Sequence, residues 1–153
     1  MPSEKILYAT DYSEESGYAL SVASSWAHAT GAGLLIVHVS QYEPYPVGEL
    51  FDEESKPSPI DLEPLQEVVP TDLEVPYEHR LVYGEPAEEI IKLAREENVA
   101  LIVIGTRGTT GLTHLLTGSV AEAVIRQAPC PVVAVRQPLP TEAPLATAGD
   151  YRI

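Results

Sequence analysis

Residues 101–127 read LIVIGTRGTTGLTHLLTGSVAEAVIRQ, a short apolar run followed by a glycine-rich loop and an amphipathic segment. The run 101–104 is apolar at every position, which is typical of a strand covered on both faces. Helical spacing then continues at four apolar positions: Ala121, Val124, Ile125 and Ala128. Ser119 is a plausible N-cap and Pro129 a plausible stop for that helix. The stretch therefore predicts strand, loop and helix in that order.

The rest of the chain repeats this alternation. Apolar, β-rich runs predict further strands at Ile6 to Ala9, Leu34 to Val39 and Val132 to Val135, with the more polar Tyr77 to Tyr83 as a fifth candidate. Alternation of strands and helices implies right-handed crossovers and a parallel sheet. We therefore expect a doubly wound, Rossmann-like α/β fold, in which ligands bind beyond the carboxyl ends of the strands.

Two further helices complete the pattern. The first has Ser13 as N-cap, Gly31 as stop and an apolar stripe at five positions: Ala19, Val22, Ala23, Trp26 and Ala27. The second begins at Pro86 and ends near Asn98, a residue suited to a helix terminus. Both patterns have the 3.6-residue period of an amphipathic helix.

Composition excludes several classes of protein. The 153 residues are 44% hydrophobic and carry a formal net charge of −14, which argues against binding to nucleic acid or to an anionic bilayer. No apolar run is long enough to span a membrane, and the single cysteine cannot form an internal disulfide. We expect a cytoplasmic protein with one folded domain, residues 1–137, and a flexible tail, residues 138–153.

The segment 41–76 interrupts the alternation, because it is rich in proline and acidic residues. It has room for only a short helix near 60–69. A long exposed connection is the simpler interpretation, and a lid or a partner-binding loop is the alternative. The acidic run 52–54 is most simply a solvated loop.

The glycine loop is suited to phosphate. Gly105 follows a buried strand and Gly118 precedes a helix start, where free N–H groups and the helix dipole favour an anion. Arg107 and His114 are the basic or donor groups inside the loop. Neither the Walker pattern nor G-x-G-x-x-G occurs, so the residues alone leave open a phosphate site or a merely flexible turn.

The spacing G-x-x-G-x(9)-G-[ST], followed by VAEAVIRQAPCPVVAVR, resembles the signature of the ATP-binding branch of the universal stress protein family. The segments ILYATDYSEES, LLIVHVS and YGEPAEEII are similar to that family's first strand and turn, its second strand and its Gly-x-Pro helix start. The resemblance implies a five-stranded sheet in the order 3-2-1-4-5. It also implies a homodimer formed through the last strand, residues 132–136.

The resemblance assigns the adenosine end of an ATP site to the first two strands. Ala9, Thr10 and Asp11 resemble the adenosine-side contacts, with Asp11 as the polar anchor, although Asp11 can also be read as a cap or turn residue. Val39 resembles the position that reads the adenine edge through its backbone. His38 is a satisfied core histidine on our interpretation.

The resemblance places the rest of the nucleotide along the fourth strand and the glycine loop. Ile104 and Gly105 correspond to residues near the ribose and α-phosphate. Four residues correspond to those that wrap the phosphates: Gly108, Gly118, Ser119 and Val120. A bridging divalent cation, Mg²⁺ or Mn²⁺, is implied as well, held by the ligand rather than by protein carboxylates. Ala9 departs from the proline common at that position, and the helix in 41–76 is short and broken by proline.

Three functions follow from these patterns. The preferred one is a cytoplasmic, ATP-binding regulatory protein of the stress response. The second is a slow ATPase in which Arg107 stabilises the γ-phosphate, but no water-positioning carboxylate or glutamine is evident and we assign no catalytic residue. The third is a module for AMP, a cyclic nucleotide or a protein partner such as a transporter or regulator.

Overall fold

A parallel sheet with helices on both faces forms the centre of the molecule. The computed structural model of the chain describes residues 4–41, 59–106 and 119–136. In chain order the elements are β1 (Lys5–Ala9), α1 (Glu14–Thr30), β2 (Gly33–Ser40), α2 (Pro59–Glu67), β3 (Tyr77–Tyr83), α3 (Pro86–Glu96), β4 (Leu101–Gly105), α4 (Ser119–Gln127) and β5 (Val132–Val135). The five strands lie in the order β3-β2-β1-β4-β5, and each neighbouring pair is parallel. The predicted doubly wound fold and strand order are therefore confirmed.

Side-chain alternation along each strand separates two cores. In β1, Leu7 and Ala9 pack with residues of α3 and α4, whereas Ile6 and Tyr8 pack with residues of α1 and with Leu65 of α2. Because successive strand residues point to opposite faces, one apolar run supplies both cores. This explains why the apolar runs of β1 and β4 do not alternate with polar residues.

The first helix follows its predicted bounds, but its buried face differs from the predicted stripe. The Ser13 hydroxyl accepts the Ser16 N–H at the N-terminus, and Gly31 ends the helix in the left-handed region at φ 78°. Ala19, Ala23 and Ala27 pack against the sheet, whereas Trp26 is 46% exposed. The prediction that Trp26 belongs to the apolar face was wrong, because small alanines let the helix approach the sheet and the indole lies to one side.

The other predicted helices are also present. Pro86 opens α3, the Glu85 side chain accepts the Glu88 N–H at 2.9 Å, and Asn98 follows the helix with φ 49°. The short helix expected near residues 60–69 is α2, which contains Pro64. Residues 42–58 of the acidic segment and the predicted tail, residues 138–153, lie outside the described residues.

Strand order creates a crevice between β1 and β4. The two strands are neighbours, with Ala9 opposite Ile104. From Ala9 the chain continues into α1 on one face of the sheet, and from Gly105 it continues towards α4, which packs on the other face. Diverging connections at neighbouring strand ends are the point at which doubly wound sheets bind ligands.

Candidate functional site at the carboxyl ends of the strands

The loop after β1 is held by a compact set of hydrogen bonds. The Thr10 N–H donates to the Val37 carbonyl at 2.8 Å, which continues the β1–β2 ladder by one step. The Thr10 hydroxyl accepts the Tyr12 N–H at 3.0 Å and bonds the Ser16 hydroxyl at 3.1 Å. Thr10 is 6% exposed. It therefore fixes the loop in place, and its side chain faces the protein.

Asp11 is a turn residue in the structure, which is one of the two roles that the sequence left open. Its Oδ1 accepts the Ser13 N–H at 3.0 Å, an Asx-type turn that leads into the N-cap of α1. Asp11 is half-buried in the loop that follows β1. The turn bond uses one carboxylate oxygen, so it is compatible with a ligand contact through the other.

An aromatic pair lies beside this loop. The ring centroids of Tyr12 and His38 are 4.3 Å apart with planes tilted by 33°. The His38 Nδ1 is 2.8 Å from the Thr10 carbonyl, and since a carbonyl only accepts, Nδ1 carries the proton. His38 is thus hydrogen-bonded, as predicted, but half-buried at the site's edge. Tyr12 was not among the predicted residues, and its φ of 67° is costly for a bulky side chain.

The main chain at Val39 faces the crevice. On β2, the Val37 carbonyl bonds Thr10 towards β1, and the Ser40 carbonyl accepts the Gly84 N–H on the β3 side at 3.0 Å. In a parallel strand the N–H and C=O of one residue point to the same side, and successive residues alternate. Val39 therefore points its backbone groups towards β1, but the β1 pairing ends at Val37. A donor and an acceptor are directed into the space beyond the end of β1.

The end of β4 contacts the first turn of α1. Gly105 lies so close to this turn that a Cβ built on it would be 3.3 Å from the Glu15 Cγ. The Thr106 hydroxyl donates to Glu15 Oε1 at 2.9 Å, and Glu15 is only 4% exposed. Glu15 and Thr106 were missed from the sequence. Glu15 lies four residues before Ala19, so its place on the buried stripe was the signal that could have found it.

The helix that closes the site begins at Ser119. Ser119 was predicted to be the N-cap, but it is the first helical residue, so the helix begins one residue earlier than predicted. The first-turn N–H groups of α4 have no intrahelical acceptor. Val120 is half-buried against the core that also contains Ala9 and Ile104, as is Val39. The structure thus gathers four of the predicted positions around one end of that core. Arg107, Gly108 and Gly118 lie outside the described residues.

A network of ion pairs lies towards the amino ends of the strands, away from the crevice. Lys5 Nζ lies 2.8 Å from Glu78 and 3.2 Å from Glu97, and Arg80 lies 2.9 Å from Glu97. Hydrogen bonds from Arg80 and Lys5 lower the pKa of Glu97, and bonds to Glu78 and Glu97 raise that of Lys5. Lys5 begins β1, so this network lies away from the crevice.

Strand order and helix placement together define a doubly wound α/β protein of the Rossmann-like class. The model of the universal stress protein family matches residues 2–136. The chain belongs to this family. Among relatives, a universal stress protein of Thermus aquaticus is 41% identical over 135 residues, which cover 86% of this chain and 97% of that protein.

Two solved structures of the family contain an adenine nucleotide. A universal stress protein of Archaeoglobus fulgidus in complex with dAMP matches at TM-score 0.63 and 26% identity, over 88% of this chain and 99% of that one. A universal stress protein in complex with cAMP matches at TM-score 0.63 and 27% identity, over 88% and 98% of the two chains. Among the described residues, no helix is long and apolar enough to cross a membrane.

Proposed function

We propose that this protein binds ATP at the crevice between β1 and β4 and acts as a cytoplasmic regulatory module of the stress response. The observation that carries the proposal is the direction of the Val39 backbone, which presents a donor and an acceptor beyond the end of β1. A purine edge offers the complementary acceptor and donor. Main-chain groups at the end of a strand can recognise the adenine ring without basic side chains, which suits a strongly acidic protein.

The remaining contacts are proposed from the order of the elements. Ala9, Thr10 and Asp11 line the nucleoside end, where the second Asp11 carboxylate oxygen is suited to a ribose hydroxyl. Ile104 and Gly105 follow along β4, and the closeness of Gly105 to Glu15 shows why a side chain is disfavoured there. The phosphates then lie towards the first-turn N–H groups of α4.

The phosphate end of the proposal rests on the glycine loop and the start of α4. Arg107, Gly108, Gly118, Ser119 and Val120 enclose the phosphates, with Ser119 donating its hydroxyl and Arg107 its charge. A divalent cation, Mg²⁺ or Mn²⁺, bridges the phosphate oxygens and offsets the repulsion between the nucleotide and the protein's net charge of −14. Hydrolysis at this site is disfavoured, because Asp11, the carboxylate available as a base, lies at the nucleoside end.

A monophosphate ligand is a second candidate, favoured by the cAMP and dAMP complexes of the structural relatives. The two candidates differ at the loop that binds the β- and γ-phosphates. Titration calorimetry with ATP, AMP and cAMP, each with and without Mg²⁺, separates them. Tighter binding of ATP that depends on Mg²⁺ supports the proposal, and equal affinity for ATP and AMP supports the alternative.

The loop assignment has its own test. Replacing Gly118 by leucine is expected to abolish ATP binding while the circular dichroism spectrum stays native, because a side chain there occupies the place of the phosphates. Mass spectrometry of small molecules released by denaturing the purified protein then identifies the nucleotide carried from the cell. Undiminished ATP affinity in Gly118→Leu contradicts the assignment of the loop.

We also propose that two copies associate through β5. This strand is at one edge of the sheet and pairs only with β4 among the described strands. Its sequence, VVAV, has no charge to discourage further pairing, and an unprotected apolar edge favours association. In a homodimer, nucleotide binding can influence the interface between the two copies, because the glycine loop and α4 connect the proposed site to β5.

A further inference from the structure

Three side chains with metal-binding atoms converge near the amino ends of the strands, at the end of the sheet opposite the crevice. His28 lies in the last turn of α1, and Asp72 and Glu74 lie in the turn that leads into β3. One ligand atom from each residue lies within 4.8 Å of the other two. His28 and Glu74 are exposed, and Asp72 is partly exposed, so an ion can reach all three.

The two segments that carry these side chains are fixed relative to each other. The Thr71 N–H donates to the Ser24 hydroxyl of α1 at 3.0 Å, and Ser24 is fully buried. The Glu74 N–H donates to Asp72 Oδ1 at 2.9 Å, and Val75 is only 4% exposed. Because the backbone is anchored on both sides of the cluster, metal binding requires a rearrangement of side chains and not of the backbone.

The donor atoms select a class of ion. One imidazole nitrogen and two carboxylates suit Zn²⁺ and related transition metals, whereas Mg²⁺ and Ca²⁺ take oxygen ligands. Ligands of a tetrahedral zinc ion lie about 3.4 Å apart, given zinc–ligand bonds of ~2.0–2.2 Å. To reach this spacing the exposed side chains must rotate, and His28 Nδ1 and Asp72 Oδ2, now 2.6 Å apart, must move away from each other.

The existing contact inside the cluster brings two potential ligand atoms together around a proton. His28 Nδ1 and Asp72 Oδ2 are 2.6 Å apart, a distance that requires a proton between two atoms that otherwise both carry lone pairs. A metal ion replaces that proton and releases it to water. The two carboxylates, the negative end of α1 and the net charge of −14 all favour a divalent cation there.

We propose that His28, Asp72 and Glu74 form a binding site for a divalent transition metal of the zinc type. The ion ties the C-terminus of α1 to the entrance of β3, with water completing its coordination. A surface ion pair between His28 and Asp72 is the simpler account of the contact, but such a pair has no use for Glu74. The contribution of Glu74 is therefore what distinguishes a metal site from an ion pair.

Titration calorimetry with ZnCl₂ tests the proposal on the full-length protein, without a polyhistidine tag and without nucleotide. We expect one zinc ion per chain with a dissociation constant raised at least about tenfold in His28→Ala and in Glu74→Gln, since even outer-shell changes weaken metal sites by ~10–100-fold. Glu67→Gln is the matched control, because Glu67 is an exposed carboxylate on α2 outside the cluster. It is expected to keep the affinity of the wild type.

The chain provides an optical readout as well. Its single tryptophan, Trp26, is two residues before His28 on α1. We expect Ni²⁺ to quench its fluorescence saturably at one equivalent in the wild type and in Glu67→Gln, but not in His28→Ala. Absence of zinc binding in the wild type overturns the proposal. It is equally overturned if Glu74→Gln binds zinc as tightly as the wild type or if Glu67→Gln weakens binding as much as Glu74→Gln.

Discussion

The Thr106 hydroxyl donates a hydrogen bond to the carboxylate of Glu15 across 2.9 Å, joining residues that are 91 positions apart in the chain. Glu15 is in the first turn of α1, and Thr106 directly follows β4. The bond therefore connects the helix that leaves β1 with the residue from which the glycine loop departs. It fixes the two sides of the crevice relative to each other.

Loss of this bond is expected to destabilise the fold. Thr106→Val removes one hydrogen-bond donor from a carboxylate that is 4% exposed, and we expect the free energy of unfolding to fall by about 1–3 kcal/mol. Thr30→Val is the matched control, because the Thr30 hydroxyl bonds the Trp26 carbonyl at an exposed position. Its effect should stay below about 0.5 kcal/mol. Urea denaturation measures both, and equal effects would contradict a specific role for Thr106.

If the nucleotide is recognised by the main chain of Val39, binding should tolerate a change of side chain at this position but not the loss of the N–H group. Val39→Pro removes an N–H that points past the end of β1, so it costs no hydrogen bond of the described sheet. We expect it to weaken nucleotide binding at least about tenfold, the effect of ~1.4 kcal/mol, while the far-ultraviolet circular dichroism stays native. Val39→Ile, which keeps the N–H, is expected to bind normally. Calorimetric titration with ATP decides, and normal binding by the proline variant argues against a contact at this amide.

The proposed dimer depends on the outer side of β5. The carbonyls of Pro131 and Val135 accept the N–H groups of Ile102 and Thr106, so alternation directs the backbone of Ala134 away from β4. Ala134→Pro therefore removes an outward N–H without breaking the β4 pairing, and proline is tolerated on edge strands.

We expect Ala134→Pro to sediment as a monomer at concentrations where the wild type is a dimer. Ala134→Val, which keeps the N–H and the apolar surface, is the control and should remain dimeric. A proline variant that sediments as a dimer places the interface elsewhere, and a monomeric wild type removes the proposal altogether.

The ion pairs that Glu97 forms with Lys5 and Arg80 predict that the stability of the fold depends on pH. The pKa of Glu97 is lowered from 4.5 by Arg80 and then Lys5, so its stabilising effect is present above pH 4.5 and is lost as the pH falls through the lowered value. We expect Glu97→Gln to cost about 0.2–1 kcal/mol near neutral pH, since the three side chains are partly exposed. Denaturation curves should show the difference vanishing in acid, and a difference independent of pH would exclude an electrostatic origin.

The fold was predictable because its signals are local. Apolar runs without alternation mark strands covered on both faces, and Ser13, Gly31 and Pro86 mark helix ends through their own backbone preferences. The resemblance of the glycine loop to a known family supplied the strand order, which the residues alone do not determine. Trp26 was misplaced because its burial depends on how closely the alanines of α1 approach the sheet.

The candidate site was predictable only in part. Positions next to strand ends, such as Asp11 and Gly105, follow from the rule that ligands bind there. The bond between Glu15 and Thr106 does not, because it depends on two segments meeting in space. The Tyr12 and His38 stack likewise needs the loop after β1 to turn back over β2.

The unequal lengths of β1 and β2 have a consequence for how such a site is encoded. β2 has eight residues and β1 has five, so the ladder ends while β2 continues. The chemistry offered at Val39 is that of any peptide unit, and many side chains can occupy the position without altering it. Specificity at this point depends on where β1 stops, because a longer β1 would pair the Val39 amide within the sheet and leave nothing to offer a ligand.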